Sequence, residues 1–331
     1  MIRLVQIANP SFGRRVALVE GPTLHLLGTH RSVYAFALAA IDTGRRLEEL
    51  ILSDVSDLSL GYEEVYGLGS GWTFLPSFDH PEEPARCLVS GTGLTHLASA
   101  ANRDAMHAAA TVTDSMRMYK LGVDRGRPAP GETGAAPEWF YKGNGNILRG
   151  HGAALAVPAF AEDGGEEPEL AVLYVIDNTG LPRRIGMTPA NEFSDHQIEK
   201  QNYLYLAHSK LRTCAIGPEL TLDPDFSLVL GTVTIERGGS VLWTKEISTG
   251  DQRMCHSLAN IEHHHFKYDP HRRPGDAHVH FLGAGAFSFG EGIKLEDGDE
   301  MIISWSGYGR PLRNRIQIEA STERAVQVVA L

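Results

Sequence analysis

The hydrophobic pattern of this chain consists of short apolar runs separated by turn residues, which predicts many strands and few long helices. The clearest run covers 170–176 and reads Leu-Ala-Val-Leu-Tyr-Val-Ile. It is partly β-branched, is bounded by Asp177-Asn178, and predicts a buried strand. Other predicted strands are 1–5, 15–20, 24–27 and 87–90, then 229–237, 241–247, 278–282, 300–305 and 316–320. A helix is expected at 33–43, ending near Gly44. A second, alanine-rich helix is expected over 97–121, with Gly122 as its stop. Ser194-Asp195-His196-Gln197 fits a capping box with Ser194 as the cap, which predicts a helix over 195–207. Residues 161–165 and Asp297-Gly298-Asp299 read as hairpin turns, and 123–136 as a surface loop. The proline-rich stretch 76–84 reads as a linker, so the chain divides into a small α/β unit over 1–85 and a larger unit over 86–331. The fold class expected is α+β, mainly β.

Composition narrows this picture. At 331 residues, with 42% apolar and 21% charged residues, the chain has the make-up of a soluble globular protein. Its 35 glycines and 17 prolines favour turns over a helical bundle. A net charge of −11 without a basic run argues against nucleic acid or an anionic membrane as partner. No apolar stretch approaches the ~20 residues of a membrane span. The first residues read as a strand and not as a signal peptide. Cys87, Cys214 and Cys255 are odd in number and far apart, which fits a reducing cytoplasm and neither a disulfide framework nor a zinc site.

Candidate chemistry centres on Glu167-Pro168-Glu169. Residues two apart on a strand share a face. Two carboxylates about 6 Å apart repel by roughly 1 kcal/mol in water and by several times that in a dry pocket. The fold tolerates this if one carboxyl is protonated, if both are solvated, or if a cation lies between them. Ala190-Asn191-Glu192 supplies a third carboxylate, and three carboxylates suit a hard divalent ion such as Mg²⁺, Mn²⁺ or Ca²⁺. His96 follows a glycine-rich turn that permits close approach to a ligand. Lys142, after Pro137-Glu138-Trp139-Phe140-Tyr141, is either a solvated lysine or a charge aimed at an anionic substrate; the aromatics beside it are expected in the core. Gly67-Leu68-Gly69-Ser70-Gly71 lacks the context of a nucleotide loop. Seven histidines fall within 256–280. His278-Val279-His280 would begin a cupin-type metal site, but no glutamate follows at the required distance. His263 to His265 are expected on a partly exposed loop or helix, and His278 and His280 to pack on a sheet or at a subunit interface.

These motifs, in order, resemble the fumarylacetoacetate hydrolase superfamily over 86–331. Glu167-Pro168-Glu169 resembles its E-x-E metal pair. Gly186-Met187-Thr188-Pro189-Ala190-Asn191-Glu192 resembles G-x-T-x-x-N-D, with Glu in place of Asp. Cys214-Ala215-Ile216-Gly217-Pro218 resembles its C-x-x-G-P turn, with Lys210 two residues closer to it than the family's lysine, and 137–142 resembles P-x-x-F-x-K. The nearest text is that of sugar-acid proteins of the 2-keto-3-deoxy-pentonate dehydratase kind. The resemblance implies a mixed β-roll catalytic domain with a small N-terminal α/β domain, a homodimer, and a Mg²⁺ or Mn²⁺ ion held by Glu167, Glu169 and Glu192. It also implies a small 2-keto acid as substrate, catalytic roles among His96, Lys142 and Lys210, and substrate contacts among Ser99, Arg103, Thr188 and Asn191. Where the superfamily's C–C hydrolases pair a histidine with a glutamate to activate water, this chain has His96 and Ser99. Gly93-Leu94-Thr95, Ser99 and Arg103 resemble the dehydratase branch instead. The expected reaction is dehydration of a 2-keto-3-deoxy-pentonate in a non-phosphorylative sugar pathway. The alternatives are hydrolysis of a 2,4-diketo acid and non-catalytic binding of a sugar acid.

Overall fold

The computed structural model describes residues 1–97 and 113–331. The first part of the chain gives β1 (Arg3–Asn9), β2 (Gly13–Glu20), β3 (Thr23–Leu27), β4 (Val55–Gly61) and the short β5 (Thr73–Phe74). The middle gives β6 (Cys87–Gly93), β7 (Glu138–Asn144), β8 (Leu148–Arg149), β9 (Leu155–Val157), β10 (Pro168–Ile176) and β11 (Pro182–Asn191). The remainder gives β12 (Cys214–Ile216), β13 (Glu219–Thr221), β14 (Val229–Arg237), β15 (Ser240–Thr249), β16 (Ala277–Phe281), β17 (Glu300–Trp305) and β18 (Leu312–Ile318). The predicted strands are all present, in an α+β, mainly β architecture of the fumarylacetoacetate hydrolase kind.

The strands form two sheets. The larger runs β4-β3-β2-β1-β13-β11-β10-β16-β6-β7, and the smaller runs β15-β14-β17-β18-β9. β10 lies inside the large sheet and is buried at all nine positions. Leu170, Val172, Tyr174 and Ile176 enter a core shared with the small sheet, through Val233, Ile303 and Trp305. Ala171, Leu173 and Val175 enter the opposite core, beneath the helix Val33–Thr43. Burial on both faces is why this run is continuously apolar and does not alternate. The Trp305 indole N–H donates to the Glu169 carbonyl at 2.8 Å and ties the two sheets together beside β10.

The first strands continue the large sheet, with Leu4 opposite Leu220 across the β1–β13 pair. Glu219 on β13 is the buried knot of that seam. Its carboxylate accepts from Arg3 Nη1 at 2.8 Å, from the Tyr62 hydroxyl at 2.6 Å and from the Arg310 backbone N–H at 2.9 Å.

Several local expectations give way to tertiary packing. The helix Asp114–Arg125 starts at its own cap, Thr113, and runs through Gly122. Glycine stands at 122 because a Cβ there would meet His256 Nε2 and Cys255 Sγ at 2.6 and 2.7 Å, so it permits close packing and is not a stop. Residues 161–165 do not close a hairpin, since β9 pairs with β18 in the small sheet while β10 belongs to the large one. Asp195, not Ser194, caps the helix His196–Gln201, and a separate helix covers Leu206–Lys210. The turn at 297–299 exists but leads only into β17. Of the aromatics on β7, Phe140 is buried while Trp139 and Tyr141 are 39% and 41% exposed, following the strand's alternation. No helix among the described residues is long and apolar enough to cross a membrane.

Replacing Glu219 with Ala leaves the buried Tyr62 hydroxyl and the Arg310 N–H without their acceptor. A loss of about 2–4 kcal/mol is expected, read as a lowered urea midpoint with an unchanged slope. A midpoint within a few tenths of a molar of the wild type would show that this seam does not hold the first strands.

Candidate metal centre

The centre is built at the open end of one hairpin. β10 and β11 are joined by a turn whose geometry Asp177 fixes. Its Oδ1 accepts from the N–H groups of Thr179 and Leu181 at 2.9 Å each and from the Thr179 hydroxyl at 2.7 Å. Burial would raise the Asp177 carboxyl, but these bonds and Arg183 bring it down to about 2, so it stays charged. The turn, with a bulge between Leu173 and Tyr174 that shifts the pairing by one residue, sets the register, and Glu169 lies opposite Ala190. The Glu192 N–H then donates to the Glu167 carbonyl at 3.0 Å, which brings the third carboxylate alongside the other two. A one-residue slip would turn Glu169 to the other face. Glu167, Glu169 and Glu192 each offer an oxygen within 4.8 Å of the others, and all three are buried.

Two ammonium groups answer these three charges. Lys210 Nζ lies 2.6 Å from Glu167 Oε1, 2.6 Å from Glu192 Oε2 and 3.0 Å from Ser194 Oγ. Burial alone would lower its pKa, but Glu167 and Glu192 outweigh this and raise it. Lys142 on β7 lies 2.6 Å from Glu192 Oε1 and donates to the carbonyls of Phe193 and Lys210 at 2.8 and 3.0 Å. Glu167 also meets His196 Nε2 at 3.1 Å. Burial pushes Glu167 up, and Lys210 and His196 carry it well below the usual carboxylate range. Glu192 is raised to about 7, mainly by burial, against the pull of Lys142 and Lys210.

Among the described residues Glu169 has no ammonium within hydrogen-bond reach, and its carboxylate accepts one hydrogen bond, from the Gly283 N–H at 2.7 Å from Oε2. Burial, then Glu192 and Glu167, push it well above the ordinary 4.5. The cations thus gather on Glu167 and Glu192, and Glu169 remains a hard oxygen donor that no cation contacts among the described residues. A divalent cation fits this donor set.

His196 lies between Phe287 and Phe289, with ring centroids 4.7 and 5.1 Å away, and its Nδ1 is buried without a partner. Glu166 turns away from the cluster and accepts from the Ser288 N–H and Oγ at 2.6 and 2.8 Å. The segment 283–289 is thus pinned to the carboxylates by Gly283, Phe287 and Ser288.

His96 sits on the other side of that segment. Thr95 Oγ1 lies 2.8 Å from the Leu282 carbonyl and 2.9 Å from His96 Nδ1. A carbonyl only accepts, so the threonine's single proton goes there and His96 Nδ1 must donate. His96 Nε2 is then an unprotonated acceptor, 3.0 Å from the Thr249 hydroxyl. Burial lowers His96 to about 4 and keeps it neutral. Its Nε2 side borders a cavity of about 400 Å³ lined also by Ser248, Arg253, Gly285 and Phe287.

The structure brings together Glu167, Glu169, Glu192, Lys142 and Lys210, while His96 lies across the segment 283–289 from them, against Thr95 and Thr249. Thr188 and Asn191 are committed to internal bonds. Thr188 Oγ1 lies 2.9 Å from both Ser77 Oγ and the Glu219 carbonyl, and Asn191 Oδ1 accepts from the Glu167 N–H at 3.3 Å. Ser99 and Arg103 lie outside the described residues. Sequence reasoning did not single out His196, Ser194 or Glu138. Glu138 is buried on the face of β7 that carries Phe140 and Lys142, against Gly93, with the Tyr203 hydroxyl 2.9 Å from its Oε1. A period-2 reading of 138–142 would have paired Glu138 with Lys142. His263 to His265 lie on the helix Leu258–Phe266, and His278 and His280 pack in the large sheet, both as expected. His280 contacts Ser90 and Thr92 hydroxyls at 2.9 and 2.7 Å, and burial keeps His278 and His280 neutral, at about 3. Among the described residues, the three glutamates are the one group with metal-ligand spacing.

Because Glu169 binds its proton more tightly when folded than when unfolded, metal-free stability contributed by this residue falls as pH rises from about 4.5. At pH 8 without divalent ions, Glu169→Gln is expected to raise the melting temperature by a few degrees, roughly 1–2 kcal/mol. An unchanged or lower melting temperature would contradict a charge deficit at this position.

No family model matches the chain. Over 123 residues it is 36% identical to the 2-dehydro-3-deoxy-D-arabinonate dehydratase of Saccharolobus solfataricus, covering 35% of this chain and 40% of that protein. Over 182 residues it is 28% identical to a probable 2-keto-3-deoxyxylonate dehydratase of Haloferax volcanii, covering 52% and 58%. The chain thus spans about half the length of the curated relatives it matches. A solved structure of 2-keto-3-deoxy-D-arabinonate dehydratase complexed with magnesium and 2,5-dioxopentanoate superposes with a TM-score of 0.70 at 21% identity, over 96% of this chain and 100% of that one. A 5-carboxymethyl-2-hydroxymuconate delta-isomerase from Mycobacterium smegmatis superposes at 0.58 and 16% identity, over 96% and 100%. The chain therefore has the fold of these solved structures, and over part of its length its sequence is similar to 2-keto-3-deoxy sugar-acid dehydratases.

Proposed function

We propose that this chain is a Mg²⁺-dependent hydro-lyase that dehydrates a 2-keto-3-deoxy-pentonate to 2,5-dioxopentanoate. The observation that carries this reading is the three-carboxylate cluster, in which Glu169 meets no cation directly among the described residues, with a neutral imidazole across the segment 283–289 that has two hydroxyl partners and no carboxylate among the described residues. Glu167, Glu169 and Glu192 hold the ion, which when bound supplies Lewis-acid polarisation of the substrate's 2-keto group. Mn²⁺ would be accepted by the same donors.

The chain's own residues divide the remaining work. His96 Nε2 takes a proton from C3, and Thr95 Oγ1 accepts from Nδ1 and fixes the ring. The C4–O bond breaks, and the proton taken up by His96 passes to the hydroxyl, so that it leaves as water. The unsaturated acid then loses a proton from C5 and regains one at C3, and the resulting enol becomes the aldehyde. Lys210 stays an ammonium, bridging Glu167 and Glu192, and is a positioning group rather than the base. Lys142 holds Glu192 from the other side.

A C–C hydrolase would need an acid beside His96 to support water activation; Thr95 and Thr249 occupy its two nitrogens instead. The reading extends to a homodimer in the cytoplasm. Three buried free cysteines suit a reducing compartment, and exposed Leu230 and Val241 on the small sheet suit a second copy.

With Mg²⁺, both C4 epimers of 2-keto-3-deoxy-pentonate should be assayed for 2,5-dioxopentanoate. Turnover with at least one epimer is expected, abolished by chelation and restored by Mg²⁺. His96→Ala should lower kcat by about 10²–10⁴-fold. Pyruvate from an acylpyruvate would instead support the hydrolase, and tight sugar-acid binding without product would make the chain a binding protein.

A further inference from the structure

Remote from the carboxylates, a cavity of about 370 Å³ opens between the start of β7 and the segment 264–271. Trp139 and Tyr268 present exposed ring faces to it, beside Pro137. Two polar groups of this cavity lack a complementary partner among the described residues. Lys267 has no carboxylate partner among the described residues, yet it is held in place, with Nζ 3.0 Å from His264 Nδ1 and 5.0 Å above the Tyr268 ring. His264 can accept that bond because its Nε2 donates to the Gly134 carbonyl at 3.1 Å. His271 Nδ1 lies 2.6 Å from the His265 carbonyl, so Nδ1 carries the proton and Nε2 is an acceptor with no donor among the described residues. The Trp139 ring is fixed by its indole N–H, which donates to buried His265 Nδ1 at 3.2 Å.

A fixed cation without an anion, an acceptor without a donor, and two aromatic faces define an occupant by complementarity. We propose that this cavity is a second ligand site, distinct from the carboxylate centre, for a planar one-ring aromatic carboxylate bearing a hydroxyl or ring N–H. The carboxylate pairs with Lys267, the donor meets His271 Nε2, and the ring packs on Trp139 and Tyr268. A sugar acid fits less well, because its several hydroxyls would lose water against proline and aromatic carbon with only two polar partners available.

The test is isothermal titration of the full chain, loaded with Mg²⁺, with 4-hydroxybenzoate. Saturable one-site binding with a Kd of about 0.1–1 mM is expected. Lys267→Met should weaken it at least about tenfold. His271→Ala should weaken 4-hydroxybenzoate but not benzoate, which separates a specific donor contact from loss of packing. Neither variant should change the melting temperature or the turnover of the chain. The proposal is overturned by absence of saturable heat at millimolar ligand, by binding that survives Lys267→Met, or by competition from 2-keto-3-deoxy-pentonate, which would place the heat at the carboxylate centre. It is equally overturned if Trp139→Ala changes the oligomeric state in gel filtration, since a second copy would then cover the cavity. These readouts do not depend on whether the dehydration reading holds.

Discussion

Repulsion among three buried carboxylates is the constraint on which the rest of this structure turns. Oxygens within 4.8 Å of one another repel by roughly 3–4 kcal/mol per pair at an effective dielectric near 20. Three such pairs would consume most of the 5–15 kcal/mol that holds a typical domain folded. The fold answers by importing charge from distant parts of the chain. Lys142 comes from an edge strand, Lys210 from a short helix, and His196 from the start of another. Each is buried; the two lysines are bonded to several oxygens, and His196 meets Glu167. Even so, the supply stops short at Glu169, where one backbone N–H is the sole donor. That shortfall separates a centre prepared for a cation from a self-sufficient salt-bridge network.

Rigid strands make the arrangement possible. Like charges relax by moving apart, and flexible loops would let them. β10 cannot move, because its side chains fill both cores and its backbone pairs with β11 on one side and β16 on the other. Asp177 fixes the turn and hence the register that sets Glu192 beside Glu167. Trp305 holds the Glu169 carbonyl from the small sheet. The repulsion is thereby stored, to be relieved by whatever cation enters.

What was legible in the sequence was local. The 170–176 run, the E-x-E spacing and the third glutamate are all set by neighbours within a few residues, so periodicity and motif order located them. The misreadings are those where distant residues decide. Gly122 resembles a helix stop, but it is a glycine because Cys255 and His256 press against it. Ser194 resembles a cap, but its hydroxyl lies against Lys210 and Glu192, and Asp195 takes the capping role. Lys210 resembles a candidate base, and only the structure reveals two carboxylates holding its proton in place. Glu138 lies among aromatics that suggested core alone; its significance appears when β7 is seen to direct it and Lys142 to the same face.

The reaction end of the site obeys a different logic from the metal end. His96 is kept neutral by burial and not by pairing, and its two nitrogens are fixed by Thr95 and Thr249. An imidazole that must deprotonate water becomes an imidazolium facing a weak acid, and a neighbouring carboxylate stabilises that cation. A proton on the carbon next to a polarised 2-keto group is far more acidic, so a weaker, unassisted base suffices. The threonine at each nitrogen therefore suits carbon deprotonation, whereas a carboxylate there would serve water activation and would add a fourth negative charge near a cluster already short of positive ones. The cation-free Glu169 carboxylate and the absence of an acid at His96 among the described residues are thus two expressions of one electrostatic limit.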